Sequence, residues 1–413
     1  MKTKVYLVGP LLTRSGYGEQ TRFALRALRS REDLYDIYIQ PLNWGATSWV
    51  PFHDDEKNWI DDTIEKTISY LQQGGTFDVS IQVTIPNEFK RICPVNIGYT
   101  AGIETTKVSA NWIQQANEMD SIVVVSNHSK NVFENTVYTG TDPNTNQQIE
   151  LRTSVPISAV GYPVKHYDKL PELEFPFTPE INFLTVAQWG PRKNLPNTIA
   201  WFIEEFMHDD VGLVIKTNHA KNSLVDREHC EGQLRQLVGP YGDIKCRIYL
   251  LHGDMTDEEM HALYSHEKIS ALVGIPHGEG FGLPFFEAAY MGLPVVCTGW
   301  SGQMDFLVDQ KGNDRFYNVA YDINQIPEEL VWDDVLIKES GWSYARPVAY
   351  RNQLRTCYEE IKANTGHAAA ACEYATELAE RFDASTMYEK FIDSLNLKID
   401  HEWANELSQV EIL

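Results

Sequence analysis

The stretch HGEGFGLPFFEAAYMGLP, residues 277–294, carries the strongest structural signal in the chain. It follows an apolar run that predicts a strand ending near Gly274, and it opens a helix at about Pro284, because proline suits the first helical position. A glycine and a proline stop that helix, and residues 295–298 predict the next strand. A strand, a glycine-rich loop and a helix in this order are typical of a parallel α/β sheet, whose ligands bind outside the carboxyl ends of the strands.

The three glycines of this loop, Gly278, Gly280 and Gly282, leave main-chain N–H groups open to a ligand. At a helix N-terminus such groups favour an anion, for example a diphosphate. Glu279 lies on the loop and Glu287 in the first turns of the helix, and carboxylates accept hydrogen bonds from the paired hydroxyls of sugars and riboses. Each glutamate alone also fits a helix-capping or solvated acid. The combination predicts a site for a phosphorylated sugar.

The remaining chain alternates short apolar runs with amphipathic segments, which predicts two α/β sheets with crossover helices. A proline-rich stretch without helical periodicity, residues 171–180, suits a linker between residues 1–170 and 181–384. Residues 138–153 are rich in turn formers and predict a surface loop or hairpin. The predicted strands are residues 5–8, 37–40, 79–83, 95–99, 122–125, 181–187, 211–217, 246–251, 271–274 and 294–298. The predicted helices include residues 19–29, 56–72, 112–119, 130–137, 196–206, 346–363, 368–381 and 385–395.

Composition restricts the class of protein. The 413 residues carry a formal net charge of −23, which disfavours nucleic-acid backbones and anionic membranes as general partners. The six cysteines show no CxxC or similar metal spacing and are expected to be free thiols in a reducing compartment. The N-terminal apolar run is too short for a signal peptide or a membrane span, so we expect a cytoplasmic protein without a transmembrane segment.

The glutamate pair in the context EGFGLPxxEAxxxGxPVV resembles the retaining nucleotide-sugar glycosyltransferases of family four, which have the two-domain architecture called GT-B. Four weaker matches extend the resemblance over nearly the whole chain. They are the SGYG loop at 15–18, the segment from Trp112 to Ser126, the basic loop PRKN at 191–194, and Trp300-Ser301-Gly302 with Asp305. The resemblance implies an N-terminal acceptor-side domain, a C-terminal donor domain, and a final helix, about 385–413, that packs back on the first domain.

The resemblance also implies roles for individual residues. Glu279 would contact the transferred sugar, Glu287 the ribose, and Lys193, helped by Arg192, the leaving diphosphate. For Lys193 the opening of a helix is the alternative role, and Lys216 and His277 are equally well explained as structural residues. The full donor-binding set expected is Gly16, Gly18, Lys216, His277, Gly280, Phe281, Gly282, Leu283 and Glu287.

Two positions depart from the family pattern. Many members carry an arginine five residues before the basic-loop lysine, where this chain has Gln188, so one cation is missing unless Arg192 replaces it. Many also carry a histidine in the first domain, and residues 96–105 contain none. Glu104 is the polar group of that stretch expected to face the acceptor, either as a base or as the cap of a turn.

Cofactor and acceptor expectations are limited. Family members need no divalent metal, and the sequence shows neither a DxD motif in the cleft loops nor a clustered ligand set, so no metal or cofactor is expected beyond the nucleotide sugar. Aromatic residues of the first half are candidate acceptor contacts, although core packing accounts for most aromatics. The candidates are Tyr17, Trp44, Trp49 and Tyr99.

Several functions stay open at this point. The favoured function is transfer of a sugar from a nucleoside diphosphate to a hydroxyl of a glycan or small molecule. The resemblance alone indicates UDP as the nucleoside diphosphate. A viral-type transferase that glycosylates modified bases in DNA has the same architecture, but the net charge disfavours it. A non-catalytic nucleotide-sugar-binding module, a phosphorylase and an epimerase are the further alternatives.

Overall fold

A computed structural model describes residues 2–45, 47–50, 54–141 and 147–397. Its first sheet has six parallel strands in the order β2-β1-β3-β4-β5-β8. The central strands β3 and β5 are buried along their whole length, and β4 is buried beyond its first residue, as expected for a sheet that is covered on both faces. Their bounds are β1 Thr3–Gly9, β2 Tyr35–Pro41, β3 Val79–Val83, β4 Val95–Thr100, β5 Ser121–Val124 and β8 Ile157–Ala159, with an antiparallel hairpin of β6 Tyr138–Thr141 and β7 Gln148–Leu151 before β8.

Four helices connect these strands. Their starts have a common cause, because a serine or aspartate precedes each one and its side chain accepts a hydrogen bond from a main-chain N–H of the first turn. In α1, for example, Ser15 accepts from the N–H of Gly18. The helices are α1 Gly16–Arg29, α2 Asp55–Gln72, α3 Ala110–Asn117 and α4 Asn127–Asn135.

The second sheet also has six parallel strands, in the order β11-β10-β9-β12-β13-β14. Its strands are β9 Asn182–Val186, β10 Gly212–Lys216, β11 Arg247–Leu251, β12 Ile269–Gly274, β13 Val295–Thr298 and β14 Tyr317–Val319. Its crossover helices are α5 Leu195–Phe206, α6 Leu224–Val238, α7 Asp257–Tyr264, α8 Leu283–Tyr290 and α9 Met304–Leu307. The predicted fold class, α/β with two Rossmann-like halves, is confirmed.

A hairpin and three helices complete the described chain. The antiparallel strands β15 Tyr321–Gln325 and β16 Gly341–Ala345 follow the second sheet. Helices α10 Pro347–Ala363 and α11 Gly366–Arg381 cover that half, and α12 Ala384–Ser394 returns to the first half. There the ring of Phe391 on α12 lies 5.4 Å from the ring of Phe23 on α1. The predicted return helix extends to residue 413, and its residues 398–413 lie outside the described ones, so the domain limits stay a prediction.

The two halves face each other across a cleft that is bridged by specific contacts. The N–H of Asn127 at the start of α4 donates to Asp305 Oδ2 at 2.7 Å. A second bridge joins the start of β16 to the first half. Ser340 Oγ accepts from Lys107 N at 3.0 Å, and Gly341 N donates to Thr106 Oγ1 at 2.8 Å. The loop after β4 is thereby tied to the start of β16, and the start of α4 to α9.

Among the described residues, no helix combines the length and the apolar character needed to cross a bilayer.

Candidate functional site

The glycine-rich loop between β12 and α8 is fixed by the chain that follows β13. Gly302 N donates to the main-chain oxygen of Glu279 at 2.9 Å, and Glu279 N donates to Ser301 Oγ at 2.9 Å. Ser301 adopts a left-handed backbone with φ of 76°, and its hydroxyl is bonded in turn to Gln303 at 2.9 Å. Hydrogen bonds within the protein therefore fix the loop conformation, which is the preorganisation that a binding site requires.

Two glycines of the loop are required by the other half of the molecule. A Cβ placed on Gly280 would lie 1.9 Å from the main-chain oxygen of Ala101, and one on Gly278 would lie 2.1 Å from that of Glu104. The sequence predicted that these glycines make room for a ligand. In this structure the room beside their Cα atoms is taken by the loop after β4, so the same small residues serve the contact between the two halves.

Lys193 and Arg192 converge on Glu279 from the basic turn Pro191–Lys193. Lys193 Nζ lies 2.5 Å from Glu279 Oε1, and Arg192 lies 3.3 Å from Glu279 Oε2. Arg192 also pairs with Glu104 of the first half at 3.1 Å. We call these four residues the Glu279 cluster. The structure brings together all four residues that were predicted to carry catalysis.

The charges of this cluster shift its pKa values in opposite directions. Burial alone would raise the pKa of Glu279, but Lys193 and Arg192 outweigh it and hold that pKa below its usual value. Burial raises the pKa of Glu104, against the smaller opposing effect of Arg192. Burial lowers the pKa of Lys193, because Glu279 compensates only part of the lost solvation. Glu279 is therefore ionised at neutral pH and offers two acceptor oxygens.

Glu287 is half-buried on α8 and lies in a different electrostatic environment. Burial raises its pKa to about 7. Its Oε2 accepts a hydrogen bond from Tyr264 Oη at 3.0 Å. Nearby, Lys165 bridges Glu19 of α1 at 2.9 Å and Asp257 of α7 at 2.6 Å, and so joins the two halves. These five residues are the Glu287 cluster.

The glycine loop of the first half faces the cleft at the start of α1. Gly16 is exposed and has open space beside it, and the first N–H groups of a helix lack intrahelical partners. Arg14, just before it, reaches the second half, where it donates to the main-chain oxygen of Met255 and lies 3.7 Å from Asp254. Lys216 donates to the main-chain oxygen of Gly253 in the same region. Lys216 and Arg14 are therefore cations on opposite walls of one part of the cleft.

The remaining donor-side candidates lie at the loop but face inward. His277 is buried, its Nδ1 lies 2.7 Å from the main-chain oxygen of Ser343, and its ring stacks on Trp342. Phe281 is buried, with its ring 5.1 Å from that of Tyr162. Leu283 is the first residue of α8 and is partly buried. The side chains of His277 and Phe281 are therefore packed inside the protein, and their predicted contacts with a donor stay a prediction.

The aromatic candidates for acceptor binding divide into two groups. Trp49 is 55% exposed, and Trp44 is half-buried with its ring 4.2 Å from that of Tyr17. Tyr17 is buried, and its hydroxyl is bonded to Thr100 Oγ1 at 2.8 Å. Tyr99 has no exposed surface and its ring lies 5.1 Å from that of Phe391, so in this structure it is a core residue that an acceptor cannot touch. Trp44 and Trp49 flank residue 46, which lies outside the described residues.

Gln188 occupies the position where many family members carry an arginine, and Arg192 replaces that arginine only in part. Gln188 is exposed, and its Nε2 donates to the main-chain oxygen of His219 at 2.7 Å, so it brings no charge to the cleft. Arg192 lies beside Lys193 instead, as the preceding contacts show. Sequence reasoning missed Arg14, Lys165 and Tyr264, whereas Ser301 lies in the Trp300-Ser301-Gly302 match, where it was given no role of its own. Arg14 directly precedes the SGYG loop, so its position in the sequence could have indicated a place at the site. Lys165 and Tyr264 reach the site only through tertiary contacts.

Solved structures with the same fold are glycosyltransferases. Sucrose-phosphate synthase from Thermosynechococcus elongatus matches with a TM-score of 0.59 and 11% identity, covering 99% of this chain and 100% of that one. A glycosyltransferase from Rickettsia africae matches with a TM-score of 0.58 and 13% identity, covering 96% and 98%. Anabaena HepE in complex with UDP and glucose matches with a TM-score of 0.56 and 12% identity, covering 95% and 99%. The likeness establishes the two-domain GT-B fold.

No protein-family model matches the chain, and no curated protein matches its sequence.

Proposed function

We propose that this protein is a metal-independent, retaining glycosyltransferase that moves a sugar from a nucleoside diphosphate, UDP in the first instance, to a hydroxyl group of a glycan or small molecule. The observation that carries the proposal is the convergence of Lys193 and Arg192 on Glu279 at the tip of a preformed glycine loop. The fold shared with glycosyltransferases, one of them holding UDP and glucose, supports it.

Departure of a nucleoside diphosphate builds negative charge that must be stabilised in a site with little water. Lys193 and Arg192 would supply the positive charge, and the main-chain N–H groups at the start of α8 would supply fixed dipoles. In the ligand-free protein these cations are paired with Glu279 and Glu104. Donor binding would therefore exchange two carboxylate partners for phosphate oxygens, while Glu279 turns to hydroxyls of the transferred sugar.

Glu104 could act as a positioning residue or as a base, and the geometry of the Glu279 cluster distinguishes these two roles. Its 3.1 Å pair with Arg192 supports a positioning role, in which the carboxylate holds the guanidinium toward the diphosphate. A base would have to release Arg192 before accepting a proton from the acceptor. Replacement by Gln tests this, because Glu104→Gln retains a hydrogen-bond acceptor for Arg192. Turnover within about tenfold of wild type supports positioning, whereas a loss on the order of 10²–10⁴ that added external base rescues supports a base.

The proposal is tested by thermal shift of the full chain in the presence of a chelator. A nucleoside diphosphate at 100 times its Kd would stabilise the folded protein by about 2.7 kcal/mol, and the nucleoside alone at the same concentration serves as the matched control. We expect stabilisation by UDP or a UDP-sugar without any metal. Equal melting temperatures across UDP, GDP, ADP and TDP would overturn the proposal.

The alternatives give different results in the same protein preparation. Slow hydrolysis of a UDP-sugar without acceptor supports a transferase, while tight binding without hydrolysis or transfer supports a non-catalytic module. A salt-dependent shift of duplex DNA supports the base-modifying alternative, which the net charge of −23 disfavours. The cytoplasmic location stays a prediction from the sequence.

A further inference from the structure

A second group of functional side chains lies away from the catalytic cluster, at the edge of the second sheet. Asp226 and Cys230 stand one turn apart on α6, and His252 follows directly after β11. The carboxylate oxygen, the sulfur and a ring nitrogen of these three residues all lie within 4.8 Å of one another. Because the three residues are separated in sequence, no spacing motif reveals them, and the predicted absence of a clustered ligand set is corrected here.

The three side chains are shielded from water. Cys230 has no exposed surface, and the side chains of His252 and Asp226 are 4% and 8% exposed. Asp226 is held rigidly, since its two oxygens accept main-chain N–H groups of His219 and Ala220, each at 2.9 Å. Its Oδ2 also lies 2.8 Å from His252 Nε2. The ligand atoms are thus preorganised around one point.

We propose that Asp226, Cys230 and His252 bind a structural zinc ion. Thiolate, imidazole and carboxylate together form a donor set that zinc takes in proteins. With zinc–ligand distances of about 2.0–2.3 Å, tetrahedral coordination places neighbouring ligand atoms roughly 3.3–3.8 Å apart. The present 2.8 Å contact between Asp226 and His252 must therefore open by roughly half an ångström or more.

Binding has a defined proton balance. Cys230 loses its thiol proton to solvent as the sulfur–zinc bond forms. His252 Nε2 gives up the proton of its hydrogen bond with Asp226 before it binds the metal, and the neutral ring then carries its proton on Nδ1. Because the thiol must lose its proton to bind the metal, zinc affinity should increase with pH. Two further imidazoles, His219 and His229, have ring centroids 4.5 Å apart, but neither belongs to the group of ligand atoms that lie within 4.8 Å of one another.

A zinc ion here would stabilise one wall of the proposed donor site without taking part in the reaction. It would tie the start of α6 and the loop after β10 to the end of β11. That loop accepts the Gln188 hydrogen bond through His219 O, and Lys216 ends β10 directly before it. The inference does not depend on the proposed function, because metal binding is measured without any nucleotide.

Cobalt titration of the metal-stripped full-length protein tests the site. We expect one Co²⁺ per chain, with a thiolate-to-cobalt charge-transfer absorption and tetrahedral visible bands that Zn²⁺ displaces. Cys230→Ala should abolish the charge-transfer absorption and weaken binding by at least about 100-fold, since even outer-shell substitutions cost 10–100-fold. The matched control is Cys246→Ala, because this buried thiol precedes β11 at the opposite end of the strand from His252.

His252→Gln provides a second variant in case Cys230→Ala does not fold, and it should weaken cobalt binding while retaining the sulfur absorption at high metal concentration. Cobalt binding without a thiolate absorption, or binding that Cys230→Ala leaves unchanged, would overturn the proposal and leave a hydrogen-bonded structural trio. UDP binding by the metal-stripped protein, measured in parallel, keeps this outcome separate from the fate of the proposed function.

Discussion

Glu279 and Glu287 lie on one loop and helix, eight residues apart, yet their environments are opposite. Glu279 faces two cations and its pKa is lowered, whereas Glu287 is half-buried where Lys165 is engaged by Glu19 and Asp257, and its pKa is raised to about 7. Identical side chains in one motif thus acquire different charge states from tertiary contacts. Under the proposed function, the Glu279 cluster would face the charge that appears during reaction, and Glu287 would face a neutral ribose hydroxyl.

Lys193→Met is expected to have the largest effect, because it removes one of the two cations that face the departing diphosphate. Turnover should fall by about 10²–10³-fold, with a smaller change in donor affinity. Steady-state kinetics with saturating donor measure this. Lys338→Met serves as the control, because Lys338 is an exposed lysine paired with Glu328 outside the cleft. Wild-type turnover in Lys193→Met would show that the Glu279 cluster does not stabilise the leaving diphosphate, which is the proposed difference between the two clusters.

Gly280→Ala tests whether the Glu279 cluster depends on close contact between the halves. The added methyl group would meet the main-chain oxygen of Ala101, and overpacking of this kind costs about 1–3 kcal/mol. We expect a roughly tenfold loss of turnover, because 1.4 kcal/mol corresponds to a factor of ten. Gly232→Ala on α6 is the matched control, since nothing lies within 4 Å of its added Cβ. Equal activity of the two variants would show that the cluster works with the halves apart.

Glu287→Gln tests the raised pKa through stability. A carboxyl whose pKa is higher in the folded protein than in the unfolded chain stabilises the fold below its unfolded pKa, and that contribution is lost as the pH rises through about 7. Relative to Glu287→Gln, the wild type should therefore lose about 2 kcal/mol between pH 5 and pH 8.5. Melting temperatures of both proteins across this range measure the difference. Parallel pH profiles would contradict the assignment.

Tyr264→Phe should have the smallest effect. It removes the hydroxyl that donates to Glu287 at 3.0 Å, a contact of about 0.5–1.5 kcal/mol, and it raises the pKa of Glu287 further. The free energy of unfolding should therefore begin to fall at a higher pH in Tyr264→Phe than in the wild type. Urea unfolding at pH 6 and pH 8 checks this, and Tyr241→Phe, a tyrosine at the far side of the same half, provides the comparison.

The sequence predicted most of the scaffold because its strands are apolar runs and its helices begin at polar caps. The helix expected at Pro284 begins at Leu283, and the strand expected at residues 79–83 is β3. The hairpin of β15 and β16 was missed, since Asp322, Asn324 and Gln325 are exposed and give no clear alternation.

The catalytic residues could be named from a motif, but their partners could not. Glu104 and Arg192 are 88 positions apart in sequence, and their pairing depends on how the two sheets meet. The same reason hid Lys165 and the Asp226, Cys230 and His252 group. A pattern within one segment indicates which chemistry is present, whereas the charge state of each group is decided by segments that only the fold brings close.

The chain passes between the halves twice, and the two passages are bonded to each other. Val164 N, just before the proline-rich stretch, donates to the main-chain oxygen of Phe382, just before α12, at 2.9 Å. The two passages therefore hold the halves together at this end, and any change in the width of the cleft would be smallest there.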